Sequence, residues 1–214
     1  GVEHAIFGPG DRRGARKAID EHDNVPLVLF AGRIQALKGP DVAIRALALM
    51  CEPRARLIVV GGASGSNGHA HEEEMRLLAD ELGLSDRIRF VSPQPHHLLS
   101  TFYRAADVIV VPSRSESFGL VALEAAACGT PVVASAVGGL TSLVDDGVTG
   151  ILVDSRTPSA FAEALDAVLS DSAMATSMSM AGAVASLDYS WTAAASRLNE
   201  VYDELRSAGL LECR

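Results

Sequence analysis

The sequence predicts an α/β fold with a doubly wound, mostly parallel sheet that carries helices on both faces. Short apolar runs rich in valine and isoleucine, such as Val108–Val111, lack polar alternation, which is typical of strands buried on both sides. Amphipathic segments separate these runs, as in chains that alternate strand and helix. Hydrophobic residues make up 48% of the chain but aromatic residues only 5%, a balance that favours an α/β or all-α protein over a β-sandwich.

Each element is predicted from a local pattern of apolar residues and from the residues that end it. The predicted strands are Pro26–Ala31, Leu57–Val60, Arg87–Val91, Val108–Val111, Pro131–Ala134 and Ile151–Val153. The predicted helices are Pro40–Met50, Glu72–Leu82, His97–Ala105, Phe118–Ala127, Leu140–Val144 and Pro158–Ser170. Pro40 lies in a first helical turn, where its missing N–H costs nothing. Gly83 and Gly129 each follow a helix, where a left-handed residue commonly ends it.

We expect one domain over residues 1–172, followed by C-terminal helices in residues 173–214. Residues 173–186 are rich in alanine, serine and methionine, and Tyr189–Arg206 has amphipathic spacing. The chain begins at Gly1 without a methionine, so we also expect it to be a fragment of a longer protein.

Composition argues against several classes of partner. The formal net charge of −9 disfavours a general affinity for nucleic acid or anionic lipid. No apolar run reaches the roughly 18 residues of a membrane span, and no signal peptide is visible. Cys51, Cys128 and Cys213 lie far apart, which predicts buried thiols in a reducing compartment rather than a zinc site. We therefore expect a cytoplasmic location.

The loop Gly32–Gly39 follows a strand and leads into a helix, and it carries the cations Arg33 and Lys38. In a doubly wound sheet, ligands bind beyond the carboxyl ends of the strands. Arginine forks across two oxygens, lysine acts as a point charge, and a helix start adds free N–H groups. The loop therefore suits a diphosphate. Two solvated surface cations are the alternative.

A second candidate is the segment Glu116–Glu124, in which two glutamates lie eight positions apart. Phe118-Gly119-Leu120 is expected to form the first turn of the helix, with free backbone N–H groups and close access at Gly119. The two carboxylates suit hydrogen bonds from two different polyols, a sugar and a ribose. The alternative is a capping acid and a surface glutamate. Glu124 lies in an otherwise apolar stretch, however, where an acid without a partner is costly.

Other motifs give weaker evidence for a binding site. The loop Gly61–Gly68 is rich in glycine and serine but matches neither a dinucleotide fingerprint nor a Walker sequence, so a surface loop is favoured. His69 and His71, and the pair His96-His97, are interpreted as helix starts rather than metal ligands. We predict no metal site and no resident cofactor.

Taken together, these motifs resemble those of the retaining GT-B glycosyltransferases with a Glu-x7-Glu signature. The resemblance covers residues 1 to about 170, and the matching features are Gly1-Val2 with Phe7 and Pro9, Gly32-Arg33 with Lys38, Glu116-Ser117-Phe118-Gly119 with Glu124, Pro131–Ala134, Gly138-Gly139, Asp146-Gly147 and Thr149-Gly150. It implies a Rossmann-like C-terminal domain of a GT-B fold. Ser115–Val121 and Tyr103–Asp107 are similar, more specifically, to the mycothiol-pathway members, which move N-acetylglucosamine from UDP to an inositol phosphate.

The resemblance implies a role for each matching position. Arg33 and Lys38 would neutralise the donor diphosphate, Glu116 would hold sugar hydroxyls, and Glu124 would hold the ribose. The implied catalytic residues are Arg33, Lys38 and Glu116. The implied donor-binding residues are Gly32, Arg33, Lys38, Phe90, Val91, Gln94, Glu116, Ser117, Phe118, Gly119, Leu120 and Glu124. Within this set, the N–H groups of residues 118–120 would bind sugar or phosphate, and the backbone of residues 90–94 would read the uracil.

The family's first domain, which binds the acceptor, is not in this sequence. The resemblance therefore implies that the chain binds a UDP-sugar, UDP-N-acetylglucosamine, without transferring it. The complete protein would add an acceptor pocket and a homodimer contact. The C-terminal helices would pack on the donor domain or cross back towards the first domain.

Three alternatives stay open at the level of sequence. A mannosyl- or glucosyltransferase of the same family would act on a lipid or glycan acceptor. A non-catalytic nucleotide-binding module would use the same pocket as a sensor or scaffold. A dehydrogenase-like dinucleotide domain is disfavoured because the Gly-x-Gly-x-x-Gly fingerprint is absent.

Overall fold

The computed structural model describes residues 1–63 and 68–208. Six strands form one parallel sheet in the order β3-β2-β1-β4-β5-β6. They are β1 Leu27–Ala31, β2 Arg56–Val60, β3 Ile88–Val91, β4 Val108–Val111, β5 Val132–Ser135 and β6 Gly150–Val153. The strand order reverses at β1, so that helices cover both faces and the loops after β1 and β4 lie side by side. The predicted fold class is confirmed.

Apart from α1, the helices of the described residues lie close to the predicted ranges. They are α1 Arg12–Ala18, α2 Pro40–Leu49, α3 Gly68–Glu81, α4 His96–Ala105, α5 Leu120–Ala127, α6 Leu140–Leu143, α7 Pro158–Ser170, α8 Ser172–Ala185 and α9 Trp191–Ser207, with 3-10 turns at Ala36–Lys38 and Ser186–Tyr189. The prediction that a helix starts at Phe118 is wrong. Gly119 adopts the left-handed conformation with φ of 100° and caps α5, so Phe118 belongs to the preceding loop.

Sequence reasoning missed α1, because the helix is anchored by a buried cation rather than by an apolar stripe. The Arg16 side chain is 1% exposed and donates to the carbonyls of Ala105, His22 and Val25 and to Asp107. A buried guanidinium is tolerated only when its donors are satisfied in this way.

Alternate residues of each strand enter two separate cores. Val28 and Phe30 of β1 pack with α2, α3 and α7, while Leu27 and Leu29 pack with α1, α4 and α5. Each of these side chains is at most 2% exposed, and burying one contributes about 1.5–3 kcal/mol. The unbroken apolar runs therefore stabilise both faces of the sheet and hold the loops at its carboxyl edge.

The C-terminal helices differ in their packing. The first of them, α8, packs on α5 and α7 and buries Met178 and Gly182. The last, α9, has no buried residue. Residues 209–214, including Cys213, lie outside the described residues. No helix in the described ranges is long and apolar enough to cross a membrane.

Candidate functional site

The loops after β1 and β2 are joined at the carboxyl edge of the sheet. The N–H of Gly32 donates to the carbonyl of Val60 at 2.9 Å, and the N–H of Ile34 donates to Gly62 at 3.0 Å. Gly61 has φ of 153°, and a Cβ there would lie 1.8 Å from the Gly32 oxygen. Only glycine permits this approach, which fixes the start of the Arg33 loop. Residues 64–67 of the predicted Gly61–Gly68 loop lie outside the described residues.

The end of the same loop is clamped against the loop after β4. Gly39 is left-handed with φ of 69°, and a Cβ there would lie 2.3 Å from the Pro112 oxygen. The N–H of Arg114 donates to the Leu37 carbonyl at 2.8 Å, and its guanidinium pairs with Asp41 at 3.2 Å. These contacts hold the 3-10 turn that carries Lys38.

Two predicted site residues, Lys38 and Glu116, are in direct contact. The Lys38 Nζ lies 2.5 Å from Glu116 Oε2, and the two side chains are only 22% and 16% exposed. Arg33 is exposed and pairs with no acid among residues 1–63 and 68–208. The edge therefore offers one free cation and one cation that shares its charge with a carboxylate.

A glycine pair that sequence reasoning did not count as site residues supports the loop of Glu116. The N–H of Gly139 donates to the Glu116 carbonyl at 3.0 Å. A Cβ on Gly138 would lie 2.0 Å from that oxygen, and one on Gly139 would lie 2.5 Å from the Phe118 Cα. The available signal was the Gly138-Gly139 dipeptide, which follows three residues after the predicted strand Pro131–Ala134.

The start of α5 presents free donors to solvent. Ser117, Phe118 and Leu120 are exposed, and the N–H groups of residues 118–120 donate no hydrogen bond within the described part of the chain. Such a helix start attracts anions through its N–H groups and its dipole. Its position beside Glu116 makes it part of the same site.

Glu124 is buried, 7% exposed, and both of its carboxylate oxygens have partners. Its Oε2 accepts a hydrogen bond from the Tyr103 hydroxyl at 2.8 Å, and its Oε1 lies 2.7 Å from His96 Nε2. Both partners come from α4, two turns apart on one face of that helix. Sequence reasoning missed them because His96 and Tyr103 were interpreted only as parts of a helix.

The residues predicted to contact the base occupy different environments. The Phe90 ring packs towards α3 under the Arg76 guanidinium, 4.5 Å from ring centre to Cζ. The Val91 carbonyl accepts from the N–H of Gly61 at 3.0 Å. Gln94 lies in the following loop and donates to the Ser92 carbonyl at 2.9 Å. The prediction concerned the backbone of residues 90–94, so these side-chain contacts leave it a prediction.

A large cavity lies away from the carboxyl-edge site, and charged residues that line it are already paired. A cavity of about 390 Å³ opens where β4 and β5 begin, at the opposite edge of the sheet. Arg12 and Asp107, which line it, are bonded to each other, so it offers no free anion site from that pair. No group of three or more His, Cys, Asp or Glu side chains converges within the described residues.

The Cys128 thiol, at the end of α5, is buried, and burial raises its pKa to about 12. Tyr103 is likewise buried, and burial, together with the nearby Glu124 carboxylate, raises its pKa well above the usual value. The Tyr103 hydroxyl therefore keeps its proton and acts as the donor to Glu124.

The family model for glycosyl transferases group 1 matches residues 11–184. A D-inositol 3-phosphate glycosyltransferase of Kribbella flavida is 49% identical over 197 residues, covering 89% of this chain and 46% of the relative. A sucrose-phosphate synthase from Thermosynechococcus elongatus superposes with a TM-score of 0.89 at 37% identity, covering 97% of this chain and 52% of that one. The Anabaena protein HepE, solved with UDP and glucose, gives a TM-score of 0.87 at 25% identity, covering 96% and 56%.

The chain thus spans about half the length of each of these three proteins. The family match extends over most of the chain, from α1 to α8. It includes every loop of the carboxyl-edge site described above. The chain belongs to the glycosyl transferases group 1 family.

Proposed function

We propose that this chain is the donor-binding half of a retaining glycosyltransferase, with its site at the carboxyl edge of the sheet. The observation that carries the proposal is the convergence of Lys38 and Glu116, in contact at 2.5 Å beside the exposed cation of Arg33. A nucleoside diphosphate-sugar needs cations for its phosphates and a carboxylate for its sugar hydroxyls. This edge supplies both within one short span.

The proposed donor is UDP-N-acetylglucosamine and the proposed acceptor is an inositol phosphate. The Kribbella protein, named a D-inositol 3-phosphate glycosyltransferase, supports the acceptor, and HepE, solved with UDP and glucose, supports a uridine nucleotide. The choice of N-acetylglucosamine rests on the resemblance to the mycothiol-pathway members. Glu124 would accept hydrogen bonds from the ribose, and the loop after β3 would contact the base. The free N–H groups at the start of α5 would bind the sugar or the phosphates.

In the proposed reaction, the bond between the sugar C1 and the β-phosphate oxygen breaks as the acceptor oxygen attacks the same face. The hydroxyl proton of the acceptor passes to the departing phosphate oxygen. Arg33 and Lys38 stabilise the negative charge that develops on UDP, which is the main catalytic contribution expected of preorganised cations. These steps assign no role to a protein nucleophile, a metal or a resident cofactor.

The acceptor pocket is proposed to lie in the other half of a complete enzyme. The isolated chain would then bind the nucleotide without turning it over. The carboxyl edge would form one wall of a cleft that closes only when both halves are present.

A transfer assay with a complete enzyme that contains this chain tests the proposal. Mass spectrometry would follow UDP-N-acetylglucosamine, UDP-glucose and GDP-mannose, each offered with D-inositol 3-phosphate. We expect N-acetylglucosamine transfer to dominate and the product to keep the anomeric configuration of the donor. Transfer from GDP-mannose alone would replace the proposed donor, and binding without any transfer would favour a non-catalytic module.

A further inference from the structure

Glu124 has a hydrogen-bonding environment that separates its two carboxylate oxygens. Oε2 faces the interior and accepts from Tyr103, whose side chain is fully buried. Oε1 is paired with His96, whose side chain is 63% exposed. One oxygen is thus anchored in the core, and the other faces the exposed His96 at the start of α4.

The two partners of Glu124 are themselves held in place. The Tyr103 carbonyl accepts from the Thr130 hydroxyl at 2.6 Å. The Phe7 ring packs against both partners, with ring centres 4.8 Å from His96 and 6.0 Å from Tyr103. The carboxylate therefore has a fixed orientation before any ligand arrives.

This arrangement leaves acceptor capacity unused. An ionised carboxylate has about four lone-pair positions, and only Tyr103 and His96 bond to this one in the described residues. A polyol with two neighbouring hydroxyls, such as a ribose, matches the unused capacity.

We infer that Tyr103 and His96 are positioning residues that orient Glu124 towards the ribose hydroxyls of the donor nucleotide. The inference rests on the proposed function, because it takes the donor to be a nucleotide. It adds that the affinity for the ribose depends on two residues of α4 that touch no ligand themselves. It also makes His96, rather than its neighbour His97, the residue that matters at the start of this helix.

The test measures the affinity of this chain for UDP and for 2′,3′-dideoxy-UDP by calorimetric titration. The variants are Glu124→Gln, Tyr103→Phe, His96→Ala and His96→Gln. His97→Ala and Tyr202→Phe are matched controls, since both residues are exposed and their side chains bond to nothing in the described residues. Thermal unfolding followed by circular dichroism confirms that each variant is folded.

Loss of one of the two orienting hydrogen bonds leaves Glu124 in place but less ordered, so UDP binding should weaken about fivefold, less than on loss of a direct contact to a charged group. We expect this loss in Tyr103→Phe and in His96→Ala, and a change below about twofold for dideoxy-UDP, which lacks the hydroxyls. His96→Gln keeps an N–H donor and should recover most of the affinity. The two controls should bind both ligands as the unchanged chain does.

Suppose that Glu124→Gln weakens UDP binding as expected. Equal losses of affinity for UDP and dideoxy-UDP in the Tyr103 and His96 variants, or no loss in His96→Ala, would then overturn the inference. If Tyr103→Phe does not fold, the comparison of His96→Ala, His96→Gln and His97→Ala decides the matter. Failure of the unchanged chain to bind UDP is a separate result. It would contradict the proposed function, and the inference with it.

Discussion

Replacing Lys38 with alanine removes the cation that is expected to grip the diphosphate. A hydrogen bond to a charged group contributes about 1.5–3 kcal/mol, which corresponds to a loss of UDP affinity between about tenfold and 150-fold. In the free chain, however, the Lys38 ammonium is already bonded to Glu116 at 2.5 Å. Binding phosphate exchanges one anionic partner for another, so the lower end of that range, about tenfold, is the expected loss. Uridine has no phosphate and should lose less than about twofold.

The contact between Lys38 and Glu116 also predicts the direction in which replacing Glu116 changes UDP affinity. Glu116→Gln removes a negative charge beside Lys38 and beside the incoming diphosphate, so UDP should bind as tightly as before or more tightly. The expected cost of this variant lies in the sugar, because Glu116 is the proposed partner of its hydroxyls. UDP-N-acetylglucosamine should therefore lose the advantage that its sugar gives over UDP.

Calorimetric titration with UDP, uridine and UDP-N-acetylglucosamine checks both variants. The matched control is Lys17→Ala on α1, which changes the net charge by the same one unit at an exposed position away from the site. Equal losses for UDP and uridine in Lys38→Ala would refute the diphosphate assignment. If Lys17→Ala lost as much UDP affinity as Lys38→Ala, the effect would be due to the overall charge of the chain and not to a contact with the diphosphate.

Two further predictions concern stability. In urea denaturation, Gly39→Ala should lower the free energy of unfolding by about 2 kcal/mol more than Gly83→Ala. The two glycines have similar φ, 69° for Gly39 and 66° for Gly83, but only a Cβ on Gly39 would meet the Pro112 oxygen. Equal decreases in the two variants would contradict the clamp between the two loops. Burial raises the pKa of Cys128 from 9.0 to about 12, so its stabilising contribution is complete below pH 9 and lost between pH 9 and 12. Between pH 8 and pH 10, the free energy of unfolding of Cys128→Ala should therefore fall by about 1 kcal/mol less than that of the unchanged chain. Identical decreases in the two proteins would contradict the raised pKa.

The fold was predictable because a parallel sheet buried on both faces leaves a plain mark in the sequence. Runs such as Val108–Val111 are apolar throughout, and the structure places all four residues in a central strand. The helix α1 left no such mark, because its main anchor is the single buried side chain of Arg16. One cation with satisfied donors has no periodicity, so sequence patterns cannot reveal it.

The candidate site was predictable in its location and less so in its contacts. The rule that ligands bind beyond the carboxyl ends of strands brought the Lys38 and Glu116 loops together, and the structure places these side chains in contact. The partners of Glu124 were missed because they lie on a different helix, α4, up to 28 positions earlier in the chain. Contacts between helices depend on the packing of the whole layer, which local spacing does not encode.

Direct titration of this chain with UDP, GDP and ADP tests the central claim that the carboxyl edge binds a uridine nucleotide. We expect saturable UDP binding, at least about tenfold tighter than that of GDP or ADP, and its loss when Arg33 and Lys38 are both replaced by alanine. Undetectable UDP binding, a preference for GDP, or UDP binding that survives the double replacement would contradict the account.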